Sequence, residues 1–192
     1  MERLFIGIFP APEIQSKISD YVERLDESLK AVRWSQPANL HYTLRFLGSV
    51  PPSDQLKVTH ALVRVAGMTA PFHFEIRELG AFPKWENAKV IWLGGGAGSN
   101  TLVALSRALD RALSGEGLGP RDKPFTPHLT LGRLRDPRGT KFSPETVETF
   151  PKAPVWGLPV TELCLVRSIL GQGSPRYEIL RRAPLAGEVP KT

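Results

Sequence analysis

Two short stretches of this chain repeat one another. His41-Tyr42-Thr43-Leu44 and His128-Leu129-Thr130-Leu131 both read H-x-T-L, and they use two of the chain's four histidines. An isolated histidine in an extended segment is ordinarily packed or solvated. A matched pair, each with a threonine two residues on and one in each half of the chain, points to two equivalent half-sites brought face to face. Side chains alternate along a strand, so each histidine shares a face with its threonine. Tyr42, Leu44, Leu129 and Leu131 then turn to the opposite, apolar side.

Two imidazole–hydroxyl pairs related in this way surround a small anionic group with a histidine on either side. Such a geometry suits displacement at phosphorus, where the attacking and departing oxygens lie in line across the centre. One histidine takes a proton while the other gives one, and imidazole, with an ordinary pKa of about 6.5, can do either near neutral pH. The threonine hydroxyls can donate hydrogen bonds to non-bridging oxygens. His60 and His73 have no such neighbours and are assigned structural or surface places. Arg133 lies an odd number of positions beyond His128, yet a bend at Gly132 would return its guanidinium to the phosphate; a surface salt bridge is its alternative role. Phe46 also follows its histidine by an odd step. Its ring suits stacking on a nucleobase at the cleft rim, or packing in the core.

The elements that must hold these residues can be read from periodicity and punctuation. Leu4 to Phe9 is a strand closed by Pro10 and Pro12, and Ile14, Ile18, Val22 and Leu25 recur at helical spacing to about Leu29. Leu40 to Leu47 forms the strand of the first H-x-T-L, followed by a helix capped by Ser53 and running through Val65. Phe72 to Leu79 and Lys89 to Leu93 read as hairpin partners, and Leu102, Leu105, Leu109 and Leu113 line one face of a third helix. Leu129 to Leu134 is the strand of the second H-x-T-L. A short helix from Ser143, closing strands at Val160 to Ser168 and Tyr177 to Arg181, and a loose polar end after Pro184 complete the chain. Strands and helices mix without regular alternation and several strands look like hairpins, so the fold class is α+β.

Composition narrows the classes. The chain has 192 residues, enough for a single folding unit over 1–192 with a substantial core. Lys and Arg outnumber Asp and Glu by 25 to 19, a net charge of +6 that favours polyanionic partners. The lone cysteine, Cys164, sits among Leu163, Leu165 and Val166 in a buried strand, which fits a reducing compartment. No run approaches membrane-spanning length, and a cytoplasmic, soluble protein is the expectation. Gly94 to Gly98 lies between a strand and a helix but lacks the Gly-Lys-Ser/Thr ending of a triphosphate loop, so it reads as a turn. There is no H-E-x-x-H and no cysteine cluster, and the expected cofactor set is empty: no metal and no nucleotide.

The segments L-H-Y-T-L-R-F-L-G at Leu40 to Gly48 and T-P-H-L-T-L-G-R at Thr126 to Arg133 resemble the two signatures of the two-histidine phosphoesterases. Within that superfamily, R-L-F-I-G-I-F-P at Arg3 to Pro10, with L-V-R-S and Y-E-I-L near the end, is similar to the RNA 2′,3′-cyclic phosphodiesterase family, also called 2′-5′ RNA ligase. The resemblance covers nearly the whole chain. It implies a bilobal fold, two pseudo-symmetric and mainly antiparallel sheets facing a central cleft with helices outside. It also implies opening of RNA 2′,3′-cyclic phosphate ends to 2′-phosphates without metal, and ATP-independent 2′-5′ ligation when an RNA 5′-hydroxyl replaces water. Carried over, His41, Thr43, His128 and Thr130 are catalytic, with His128 as base and His41 as acid; Arg133 contacts phosphate and Phe46 stacks on the base. The expected partner is RNA with cyclic phosphate ends, with no membrane and no required protein partner, the protein acting as a monomer. The nearest rivals are sister enzymes for a small cyclic nucleotide, ADP-ribose cyclic phosphate or a 2′-5′ oligonucleotide. A noncatalytic RNA-binding module is the rival of another class, but it leaves the duplicated H-x-T pairs without a use.

Overall fold

Alternating apolar runs in this chain become antiparallel strands, and the leucine-rich segments between them become helices that cover one face of the resulting sheet. The structure, a computed structural model, describes residues 1–121, 124–136, 138–169, 171 and 174–187. In chain order the elements are β1 (Glu2–Ile8), α1 (Pro12–Ser28), β2 (Val32–Trp34), a 3₁₀ turn at Pro37–Asn39, β3 (Tyr42–Val50), α2 (Pro52–Gly67) and β4 (Phe72–Phe82). They continue with a 3₁₀ turn at Trp85–Asn87, β5 (Val90–Gly95), α3 (Ser99–Gly115), β6 (Leu129–Leu134), α4 (Pro144–Glu148), β7 (Trp156–Val160), β8 (Glu162–Ile169) and β9 (Arg176–Pro184).

The expected sheets are two halves of one curled antiparallel sheet in the order β7-β4-β5-β6-β3-β1-β8-β9, with β2 paired to β6. β3, β1, β8 and β9 form one lobe, and β7, β4, β5 and β6 form the other. The lobes meet where β3 and β6 pair through Tyr42 and Leu129, the residues that immediately follow His41 and His128. The seam of the molecule is therefore also the place where the two H-x-T-L stretches come together.

Tyr42 anchors this seam from the apolar side. Its hydroxyl donates to Gly94 O at 2.9 Å, and its ring meets Phe74 edge-on at 5.0 Å. Tyr42, Leu44, Leu129 and Leu131 lie in one buried cluster with Ile18, Leu62, Leu102 and Leu109 of the helices, so that cluster spans both lobes. α2 packs against α3, β8 and β9, while α3 also meets β3 and β4. Tyr21 of α1 meets Trp156 of β7 at 5.7 Å. A smaller apolar group, Phe5, Cys164 and Val166, occupies the other face of the first lobe with Phe9, Tyr177 and Ile179 against it. Apolar demand on both faces explains the unbroken run around Cys164, and burial there pushes the pKa of its thiol up to about 11.

Several local expectations change. α2 starts at Pro52 with Pro51 as its cap residue, not at Ser53: proline's fixed φ suits the first turn, where its missing N–H costs nothing. The closing strand expected over Val160 to Ser168 is β8, and β7 before it, ending at Val160, is a strand the sequence did not announce. The segment after Pro184 is tied down through Gly187, with Leu185 buried and Ala186 N and Gly187 N donating to Ala66 O and Thr69 O; residues 188–192 lie outside the described residues. The glycines at 94–98 serve close packing. A Cβ on Gly95 would meet Phe74 Cζ at 2.4 Å, and Gly98, with φ +83°, lies against His73 O. The Ala97 amide donates to the Glu75 carboxylate, an arrangement hostile to phosphate.

Candidate active site

Both histidines stand one residue before their strands, and each is oriented by the same device. His41 Nδ1 donates to Asn39 O at 2.6 Å and His128 Nδ1 donates to Thr126 O at 2.7 Å, in each case the carbonyl two residues back. A carbonyl only accepts, so this bond fixes the proton on Nδ1 and leaves Nε2 to do chemistry. Asn39 is itself clamped, its side-chain amide donating to Pro175 O at 2.9 Å. The two Nε2 atoms differ. That of His41 lies 2.9 Å from Thr43 Oγ1, whereas among the described residues His128 Nε2 has no hydrogen-bond partner.

Their surroundings differ too. His41 is wrapped by Phe5 and Phe9, stacked at 4.7 and 5.3 Å, and by Tyr177, edge-on at 5.0 Å. His128 meets Phe82 edge-on at 5.0 Å. Burial lowers the His41 pKa to about 4, against the raising effect of the Asn39 carbonyl and with a smaller lowering from His128. Burial also lowers His128, again opposed by its carbonyl bond and aided by the nearby Arg133. Both rings are therefore neutral at neutral pH when the cleft is empty.

The odd-step residues reach the cleft through two matching β-bulges. Across β1 and β3, Gly7 faces Thr43 and Ile6 faces Arg45, leaving Leu44 as the extra residue. Directly opposed residues share a face. Leu44 and Arg45 thus both turn to the helix side, and Phe46, opposite Phe5, comes onto the face of Thr43 and His41. Across β5 and β6, Trp92 faces Thr130 and Ile91 faces Gly132, leaving Leu131 as the extra residue; Arg133, opposite Val90, joins Thr130. Phe46 and Arg133 are therefore equivalent positions, each five residues after its histidine and each re-aimed by a bulge.

Each bulge is held from behind. The Leu44 carbonyl accepts from Ser106 Oγ and Arg121 Nη2, both at 2.8 Å, and Asp110 ties Arg121 and Arg45 together with contacts of 2.6 and 3.2 Å. At the second bulge a Cβ on Gly132 would meet Val32 Cγ1 at 2.5 Å and both Arg33 O and Trp34 Cε3 at 2.9 Å, so only glycine fits.

His41, Thr43, His128, Thr130 and Arg133 line one cavity of about 260 Å³. Phe46 borders an adjoining groove of about 760 Å³ that shares Thr43 and His128 with that cavity. With 53% of its surface open, Phe46 is a rim residue rather than a core one. His60 and His73 are exposed and lie outside both sets of lining residues. Sequence reasoning missed Arg33, Asn39 and Tyr177, which also line the smaller cavity. Asn39 had a signal in its place two residues before His41, where the matching residue is Thr126. The described residues contain no group of three His, Cys, Asp or Glu side chains able to hold a metal, and no helix long and apolar enough to cross a membrane.

Known proteins resemble the chain over most of its length. The model of the 2′-5′ RNA ligase superfamily matches residues 11–172. An RNA 2′,3′-cyclic phosphodiesterase of Methanothermobacter thermautotrophicus is 31% identical over 90% of this chain and 95% of its own length. That of Thermus thermophilus is 32% identical over 97% of this chain and 91% of its own. Among solved structures, TT0787 of Thermus thermophilus superposes with a TM-score of 0.79 at 26% identity, covering 97% of this chain and all of that one. E. coli LigT complexed with 3′-AMP gives 0.75 at 28% identity, over 96% and 98% of the two chains.

Proposed function

The chain belongs to the 2′-5′ RNA ligase superfamily, and from that premise we propose that it is an RNA 2′,3′-cyclic phosphodiesterase whose two lobes act as one catalytic unit. The observation that carries the reading is the convergence of two carbonyl-oriented histidines, with two threonines and Arg133, on one cavity without a carboxylate among its described lining residues.

The cyclic phosphate sits between the histidines. His128 Nε2, which has no protein partner among the described residues, takes a proton from water as the water oxygen bonds to phosphorus. The bond to the 3′-oxygen breaks, and His41, which takes up a proton on Nε2 as the phosphate anion binds, delivers it to that oxygen, giving a 2′-phosphate and a 3′-hydroxyl; His128 then releases the proton it took from water. Thr43, Thr130 and Arg133 stabilise the non-bridging oxygens as charge builds on them. Phe46 stacks on the nucleobase from the rim. When an RNA 5′-hydroxyl replaces water, the same proton transfers form a 2′-5′ linkage without ATP.

The test is incubation, in excess chelator, with an oligoribonucleotide ending in a 2′,3′-cyclic phosphate. The expected outcome is full turnover to a 2′-phosphate end. Activity abolished by chelation and restored by a divalent cation would overturn the mechanism. Turnover confined to a small cyclic nucleotide would move the substrate to a sister activity.

A further inference from the structure

β2 is a three-residue strand whose cleft-facing side chain is Arg33, and its position is electrostatically odd. In the β2–β6 ladder Val32 faces Leu134, Arg33 faces Arg133 and Trp34 faces Gly132. Val32 and Leu134 are buried in the core, so the two arginines share the opposite face, and both line the cavity that holds the histidines, which Trp34 also borders. Like charges directly opposed across a strand pair are destabilising. Among the described residues neither guanidinium has an ion-pair or hydrogen-bond partner, and no Asp or Glu lines that cavity. An unneutralised arginine pair beside a cavity of about 260 Å³, roomy enough for more than one phosphate, is an anion site. One reacting phosphate, already met by two histidines and two threonines, does not call for two further guanidinium forks. Arg133 stands on the histidine's own strand, while Arg33 stands on the neighbouring strand, which pairs with β6 alone.

We propose that Arg33 is a second phosphate-binding residue: it takes the phosphodiester one nucleotide 5′ of the reacting group while Arg133 faces the reacting group itself. The site thereby selects oligonucleotide ends over mononucleotides. This subsite rests on the cyclic-phosphate reading for its orientation, but its ligand chemistry is testable without turnover.

The experiment measures binding by calorimetry for three ligands: a nucleoside 2′-phosphate, a dinucleotide ending in a 2′-phosphate, and that dinucleotide with a neutral methylphosphonate linkage. Wild type, Arg33→Ala, Arg33→Gln and Arg33→Lys are compared after thermal melts confirm folding. Wild type should prefer the charged dinucleotide to the other two. In Arg33→Ala and Arg33→Gln that preference should fall by about 10-fold or more, with Arg33→Lys intermediate because it keeps charge but loses the fork. The salt dependence of dinucleotide binding should lessen by about 0.7 in log–log slope, one phosphate contact on a single strand. An unchanged dinucleotide preference in Arg33→Gln, or a wild type indifferent to the methylphosphonate, overturns the subsite. Turnover of an oligoribonucleotide ending in a 2′,3′-cyclic phosphate by wild type is read separately. Failure of wild type to open that oligoribonucleotide, beside a collapsed preference, rejects the reaction and keeps the subsite; turnover of it beside an unchanged preference does the reverse.

Discussion

His41 and His128 share one orienting bond yet differ in what surrounds Nε2, and on the proposed mechanism that difference separates the acid from the base. His41 is boxed by three aromatic rings and its Nε2 already meets Thr43, whereas His128 has a more open ring and an unengaged Nε2 among the described residues. Burial holds His41 near 4 and lowers His128 as well, so in the empty cleft protonation of either becomes appreciable only as pH falls below the ordinary value of about 6.5. A bound phosphate anion supplies the charge that burial removed and raises both. The kcat/KM profile, which reports the free enzyme, should thus fall off on its alkaline side at lower pH than the kcat profile, which reports the complex. Coincident alkaline limbs, with chemistry shown to be rate-limiting, would contradict this account. At the rim, Phe46→Ala should raise KM by about 5- to 150-fold with little change in kcat, since stacking holds the base and not the reacting phosphorus. Steady-state kinetics on base-bearing substrates reads that split.

At the scale of elements, the two bulges decide which residues join the site. Simple alternation makes the His–Thr pairs legible in the sequence, and it misdirects at Phe46 and Arg133, because a bulge depends on the partner strand's register and not on local pattern. Gly132 hinted at the second bulge; nothing around Leu44 and Arg45 hinted at the first. β2 is too short for any period to emerge, and β7, W-G-L-P-V, carries a glycine and a proline that read as a turn. Pro159 is tolerated there because β7 is an edge strand. The second bulge yields a test. Gly132→Ala forces a Cβ into Val32 and the Arg33 and Trp34 strand, so stability should fall by about 1–3 kcal/mol and kcat/KM should fall as Arg133 is displaced. Denaturant melts paired with kinetics check both; a fully stable, fully active variant would show that the close approach at Gly132 does not set the bulge.

Across the whole molecule, the duplicated H-x-T-L announced the bilobal plan because each half contributes one strand that is apolar on one face and reactive on the other. The single pairing of Tyr42 with Leu129, which turns two half-sites into one cavity, follows from tertiary closure and had no sequence signal. That closure is the core of the proposed mechanism, in which both proton transfers serve one displacement at one phosphorus. The most direct test is a kinetic cycle of His41→Ala, His128→Ala and the double variant on RNA ending in a 2′,3′-cyclic phosphate, with folding confirmed by thermal melts. Each single variant should lose about 10²-fold or more in turnover, and the double variant should lose far less than the product of the two, because disabling either end already forfeits the concerted step. A folded single variant with near wild-type turnover, or a double variant whose loss equals the full product, would contradict it.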